Sequence, residues 1–318
     1  MSLAEQIELA CLMEATARKP GNVHPGVSFA DLTYDDFVRA AKAISEPLAE
    51  ASRVGLGRAV FNAVEATRRE TGTNVNLGIA LLIAPLAAVP TGVSVSEGIH
   101  DVLSGTTIKD AEHVYAAIRL AQPGGLGEAA SQDVNDQPTV TLRDAMALAA
   151  DRDRIAEQYV TDFDFVLNKC LLVLCRVWMH LKELIAEATR RDSLSSAGSV
   201  QFWEMAILDL QMRILAAGPD SLIARKCGLE FAAEVQHRAR KCRESSTSAA
   251  SSTSDELADF DLWLRADGHR RNPGTTADLI AATLFAALRD GLIEAPSRDD
   301  VLQHAAKIRE ATFGKTAP

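Results

Sequence analysis

"HRRNPGTTADLIAATLFAALRDG", residues 269–291, turns at Pro273 and Gly274 and then places apolar residues at three-to-four spacing in a run rich in Ala and Leu. That is the period and composition of an α-helix. The same period returns in "FVRAAKAI", "GRAVFNAVEATRRE", "AEHVYAAIRLA", "CLLVLCRVWMHLKELIAEATRR" and "GLEFAAEVQHRARK". Only "GVSVS", residues 92–96, reads as a strand. About ten or more helices with short connections predict an all-α fold, a single multi-helix bundle-like domain spanning residues 1–318. No fixed-period repeat interrupts it. The Ser/Thr/Ala-rich segment "ESSTSAASSTSDE", residues 244–256, predicts a flexible, exposed loop.

A chain of 318 residues with 47% hydrophobic and 24% charged residues can bury a sizeable core and reads as an ordinary globular protein. Its net charge of -10 argues against nucleic acid and acidic membranes, both of which need a basic surface. The longest nearly apolar run, "LGIALLIAPLAAVP", is shorter than the roughly 18–20 residues of a membrane span. The opening "MSLAEQIELACLMEATARK" has no signal-peptide zones, so a cytoplasmic location is expected. Five cysteines, with no CxxC pair and no His at zinc spacing, predict reduced, mostly buried thiols.

The break before the first helical run ends has a counterpart near the N-terminus, "EATARKPGNVHPGVSFAD", residues 14–31. Here Pro20 stops a helix, Gly21 lets backbone amides approach a ligand, and Lys19 and Asn22 flank the turn. In "NPGTTAD", Asn272 precedes the turn, and Gly274, Thr275 and Thr276 open a helix whose unpaired amides suit a phosphate. Asp278 either complements the helix dipole or holds a cation bridging phosphates. Each break is also an ordinary helix start. Between them "TGTNVNLGIALL", residues 71–82, sets Thr73, Asn74 and Asn76 before an apolar helix, with Gly72 and Gly78 allowing close approach; Asn74 also reads as a plain cap. "GGLGEAASQDVND" contributes Glu128 and Asp133, and "AGPDSLIARKCG" joins Asp220 to Arg225 and Lys226. Such acids and bases suit a magnesium–nucleotide site, since the metal takes few carboxylates and completes its shell with phosphate oxygens. His24 reads as a phosphate contact or a hydrogen-bonded loop residue, Cys170 and Cys175 as packing residues, and the "DRDR" run at 151–154 as a solvated helix start. No Ser-His-Asp order, Walker A loop or Rossmann glycine pattern is present.

Taken in order, "EATARKPGNVHPG", "TGTNVNLGIALLIAPL", "GEAASQDVND", "PDSLIARKCG" and "RNPGTTADLIAATLF" resemble the triphosphoribosyl-dephospho-CoA synthase family over roughly residues 5–290. The resemblance implies an all-helical enzyme that breaks the adenine–ribose bond of ATP and passes the triphosphoribosyl group to the 2'-hydroxyl of dephospho-CoA. It implies Mg2+ with ATP as substrate, a coenzyme-type acceptor, and no nucleic acid or membrane; a homodimer is an open option. Glu14 or Asp31 would stabilise the cationic ribose, and Glu128 or Asp133 would deprotonate the acceptor hydroxyl. Lys19, Gly21, Asn22, His24, Thr73, Asn74, Asn76, Arg225, Lys226, Asn272, Gly274, Thr275 and Thr276 would hold the nucleotide, and Asp220 and Asp278 the metal. This chain departs from the family pattern at Val75–Leu77, at "VSFAD" and at Pro219, which leaves the acceptor open. A nucleotide-dependent enzyme of another coenzyme pathway, of the one-carbon or methanopterin type, and a catalytically silent nucleotide-binding protein remain alternatives. Lys19, Asn74, Asp220 and Asp278 are expected to line one pocket on the order of a few hundred Å3.

Overall fold

Three helices of the computed structural model are buried on every side over most of their length, and they occupy its centre. The structure describes residues 1–124, 131–190, 201–247 and 253–314. The first central helix is α1 (Leu3–Thr16), capped by Ser2 and Glu5 and buried continuously from Leu9 to Thr16. After α2 (Tyr34–Ala49), the short α3 (Ala51–Val54) and α4 (Leu56–Thr71) comes the second, α5 (Leu77–Ala88), buried from Ile79 to Ala87. A helix that is apolar all round must sit inside other helices. α2 and α4 supply the cover: each buries one stripe, such as Ala40, Ala41, Ile44 and Leu48 on α2; α2 packs on α1, and both pack on α5 and on each other.

The chain then runs through α6 (Val95–Ser104), α7 (Ile108–Ala121), α8 (Leu142–Ala147) and α9 (Arg154–Val160), and a π-helical turn, Phe165–Cys170, leads into α10 (Leu171–Arg190). The expected "GVSVS" strand is a helix start: Ser94 caps α6 and its hydroxyl donates to Glu97 at 2.6 Å, the S-x-x-E pattern of a helix N-terminus. Next come α11 (Phe202–Ala217), α12 (Ser221–Cys227), α13 (Leu229–Thr247), α14 (Thr253–Arg265) and a four-residue extended segment, Ala266–His269. Helix thus claims 244–247 and 253–256 of the predicted Ser-rich loop, and its centre, 248–252, lies outside the described residues.

The third central helix is α15 (Gly274–Arg289), buried without interruption from Leu279 to Leu288; α16 (Arg298–Phe313) closes the fold. Ala281, Ala282, Ala286 and Ala287 keep α15 thin enough to lie against α1, α5, α10 and α11 together. A smaller core, with Leu215, Ile223, Val235, Phe260 and Leu264, joins α11 to α14. Cys170 is buried and Cys175 half-buried, and the five cysteines form no disulfide. No helix among the described residues is long and apolar enough to cross a membrane.

Candidate active site

The central helices separate at one end around a cavity of about 900 Å3. Five carboxylates line it: Glu14 in the last turn of α1, Asp153 at the start of α9 and Asp278 in the second turn of α15, with Asp31 and Asp133 from loops. Opposite them α12 presents Arg225 and Lys226, and Arg152 reaches in beside Asp153. α5 can come this close to Asp278 only as glycine, because a Cβ on Gly78 would lie 2.0 Å from the Asp278 Oδ2. Burial, then the neighbouring charges of Glu14, Asp220 and Asp153, push the Asp278 carboxyl well above the usual carboxylate range, with Arg225 opposing. Burial and Arg225 push the Lys226 ammonium down. Arg225 also ties the walls together, its guanidinium 3.4 Å from Asp153 and 3.3 Å from the Gly124 carbonyl.

Of the four groups expected to share the pocket, Asn74 and Asp278 line it and two do not. Lys19 is fully buried behind the wall, its ammonium 2.9 Å from the Glu14 carboxylate and bonded to the backbone carbonyls of Glu14 and Ala17. An uncompensated buried ammonium is costly, so Lys19 is held by Glu14 rather than offered to phosphate. Asp220 is a double helix cap. One oxygen accepts from the amides of Leu222 and Ile223 at 3.0 Å, and the other from the Thr276 amide and hydroxyl at 2.8 Å. With four protein donors on it, Asp220 is not arranged as a metal ligand. It is also the anion at the start of α15, where the sequence suggested a phosphate. Thr276 is consumed by that contact, while Thr275 hydrogen-bonds Ser221 at 3.0 Å and lines the cavity with Gly274.

Other expectations divide in the same way. Gly21 has φ +77°, which favours glycine, but its amide donates to Asp261 at 2.6 Å instead of facing a ligand. His24 is buried off the cavity and accepts from the Gly26 amide; burial first, then Arg265 and Lys19, lowers it to about 4, so it is neutral and does not grip phosphate. Asn76 begins α5 without a side-chain cap and turns away from the cavity, its buried amide nitrogen without a partner. Asn74, two residues before the N-cap Asn76, is not the helix cap. Thr73 lines the cavity. Asp31 lies at the mouth, 64% exposed and 3.0 Å from His269 Nδ1, too solvated to serve as a carboxylate in a dry site. Asp133 lines the cavity, whereas Glu128 lies outside the described residues. Asn22 and Asn272, from the two Pro-Gly breaks, line the cavity side by side and hydrogen-bond each other.

Sequence reading passed over Arg152 and Asp153, taken there as solvated. Asp153 caps α9 with bonds to the Ile155 and Ala156 amides; an acid directly before a helical period was the available signal. The His269 and Tyr115 contributions to the lining had no signal of their own.

The sequence matches the family model CitG, ATP:dephospho-CoA triphosphoribosyl transferase, over residues 1–297. No curated protein matches it. Among solved structures it resembles a proposed triphosphoribosyl-dephospho-CoA synthase from Archaeoglobus fulgidus, with a TM-score of 0.57 and 23% identity, over 80% of this chain and 99% of that one. At that identity the likeness shows a shared fold.

Proposed function

Since the chain belongs to the ATP:dephospho-CoA triphosphoribosyl transferase family, we propose that the cavity beside Asp278 is where this pentosyltransferase moves the triphosphoribosyl group of ATP to a hydroxyl acceptor. The observation that carries the reading is convergence. Glu14, Asn22, Asn74, Arg225, Asn272 and Asp278 come from four segments far apart in sequence and line one cavity. Arg225 and Lys226 are the cations that would take the triphosphate. Ribose then falls against Glu14 and Asp278. As the bond from C1' to adenine breaks, positive charge grows on the ribose ring, and the preplaced Glu14 carboxylate stabilises it more than it stabilises the ground state. Adenine leaves with the electron pair of the broken C1'–N bond and takes up a proton from solvent, while the acceptor hydroxyl forms the new C1'–O bond and gives its proton to Asp133, which returns it to solvent.

Magnesium would arrive with ATP. No group of three or more ligating side chains stands ready among the described residues, which suits an ion that needs only one or two protein carboxylates and takes phosphate oxygens for the rest. Asp278 and Asp153 would hold it, and its charge would neutralise the triphosphate. Dephospho-CoA is the acceptor proposed for this chain.

Incubation with ATP, Mg2+ and dephospho-CoA, followed by chromatography, is expected to show adenine appearing in step with a new coenzyme product, without ADP or AMP. Cleavage to ADP or AMP, or no adenine with dephospho-CoA or other hydroxyl-bearing coenzyme precursors, would overturn the reading.

A further inference from the structure

Gln211 is fully buried on α11, outside the cavity, and one of its two polar atoms has no partner. What it does is decided by direction. The Pro20 carbonyl can only accept a hydrogen bond, so the Gln211 group 2.9 Å from it must be the NH2. The same Nε2 donates to Asn22 Oδ1 at 3.0 Å. Asn22 therefore presents its own NH2 on the far side, and this donates to Asn272 Oδ1. The oxygen of Asn272 is then used, and its NH2, which no described group accepts from, is left at the cavity wall. One backbone carbonyl thus sets the orientation of three amides in series.

The rest of the loop is clamped so that the series cannot drift. Arg265 donates to the Asn22 carbonyl at 2.6 Å and is itself held by Asp261, which also takes the Gly21 amide. Reversing the chain would set Gln211 Oε1 against the Pro20 oxygen, two acceptors in contact with no water between them. The unpartnered Oε1 in the present arrangement marks the cost that the protein accepts to keep the donor pointing one way.

We infer that Gln211 is a positioning residue that, through Asn22, fixes Asn272 as a hydrogen-bond donor to an oxygen of the bound nucleotide. This rests on the reading of the cavity as an ATP site and adds the residue that orients it. The Pro-Gly breaks then have a joint purpose: they bring two asparagines into contact, so that a buried glutamine on a third element can set the polarity of the wall.

The test is a double-mutant cycle on ATP affinity, measured by titration calorimetry with thermal melting in parallel. Gln211→Met keeps the volume and removes the donor, and it is expected to raise the ATP Kd several-fold; Asn272→Ala is expected to raise it about tenfold or more, the loss of a bond to a charged group. Together they are expected to lose no more than Asn272→Ala alone, because the first acts only through the second. Asn272→Asp, which offers only acceptors, is expected to be worse than Asn272→Ala. ATP binding with additive losses, or Asn272→Asp binding as well as the unaltered protein, overturns the relay alone. Absence of ATP binding to the unaltered protein removes the functional reading and the relay with it.

Discussion

Asp278 concentrates the tension of the site. It lines the cavity half-buried, near Glu14, Asp220 and Asp153, and both desolvation and repulsion raise its carboxyl well above the ordinary value of 3.8. A raised acid favours the folded state fully below that ordinary value, and the contribution is lost as pH rises through the folded one. Asp278→Asn is therefore expected to raise Tm at neutral pH and to flatten the fall of stability with pH, while adenine release drops by orders of magnitude. A variant that is both less stable and fully active would contradict the assignment. Its neighbour Gly78 offers a second measurement. Gly78→Ala sets a methyl 2.0 Å from Asp278 Oδ2, so either α5 or Asp278 must shift, and a displacement near 1 Å costs about a hundredfold in rate. Turnover unchanged by this substitution would show that Asp278 needs no fixed position.

At the scale of elements, two buried carboxylates act as fasteners. Glu204 on α11 accepts from Arg18 at the end of α1, at 2.8 and 3.0 Å, and meets His304 of α16 at 2.8 Å. Burial would raise its carboxyl, but His304 and Arg18 overcome that and hold it at about 2. A depressed acid stabilises the fold above its unfolded value of 4.5, and this is lost as pH falls from there toward 2. Glu204→Gln is expected to cost about 3 kcal/mol or more in urea unfolding and to remove part of the acid sensitivity. Asp220→Ala strips the Ile223 and Thr276 amides of their side-chain partner and leaves the Leu222 amide only the Thr275 hydroxyl at 3.2 Å. A loss of about 3 kcal/mol or more is expected. If instead stability is kept and only metal dependence changes, Asp220 is a ligand after all.

Across the whole molecule, the fold is an inner layer of α1, α5 and α15 wrapped by amphipathic helices, with a smaller core between α11 and α14. The cavity opens where all three inner helices carry an acid or a glycine at one end. Because α15 is enclosed on nearly every side, its amides from Leu279 to Leu288 are expected to exchange with solvent only through global unfolding, and those of α14 sooner. Hydrogen-exchange mass spectrometry reads this directly. Faster exchange in α15 than in α14 would mean that the inner layer opens on its own.

The amino-acid sequence by itself determined the helices, because the three-to-four period is local, and it marked the Pro-Gly breaks, because Pro273 and Pro20 interrupt that period wherever the chain goes. It also supplied Glu14, Asn22, Asn74, Arg225, Asn272 and Asp278 as polar groups with no evident place in an apolar pattern. Only the tertiary structure decided which polar groups face the cavity. Lys19 and Glu14 are five residues apart on one turn of chain, yet Glu14 looks in and Lys19 is spent holding it. Asp220 and Asp278 are both acids beside a helix start, yet Asp220 meets four donors from two helices and Asp278 meets three other carboxylates. A side chain's character is local, but its partners, and so its charge state and its availability to a ligand, are set by residues far away in sequence that packing brings against it.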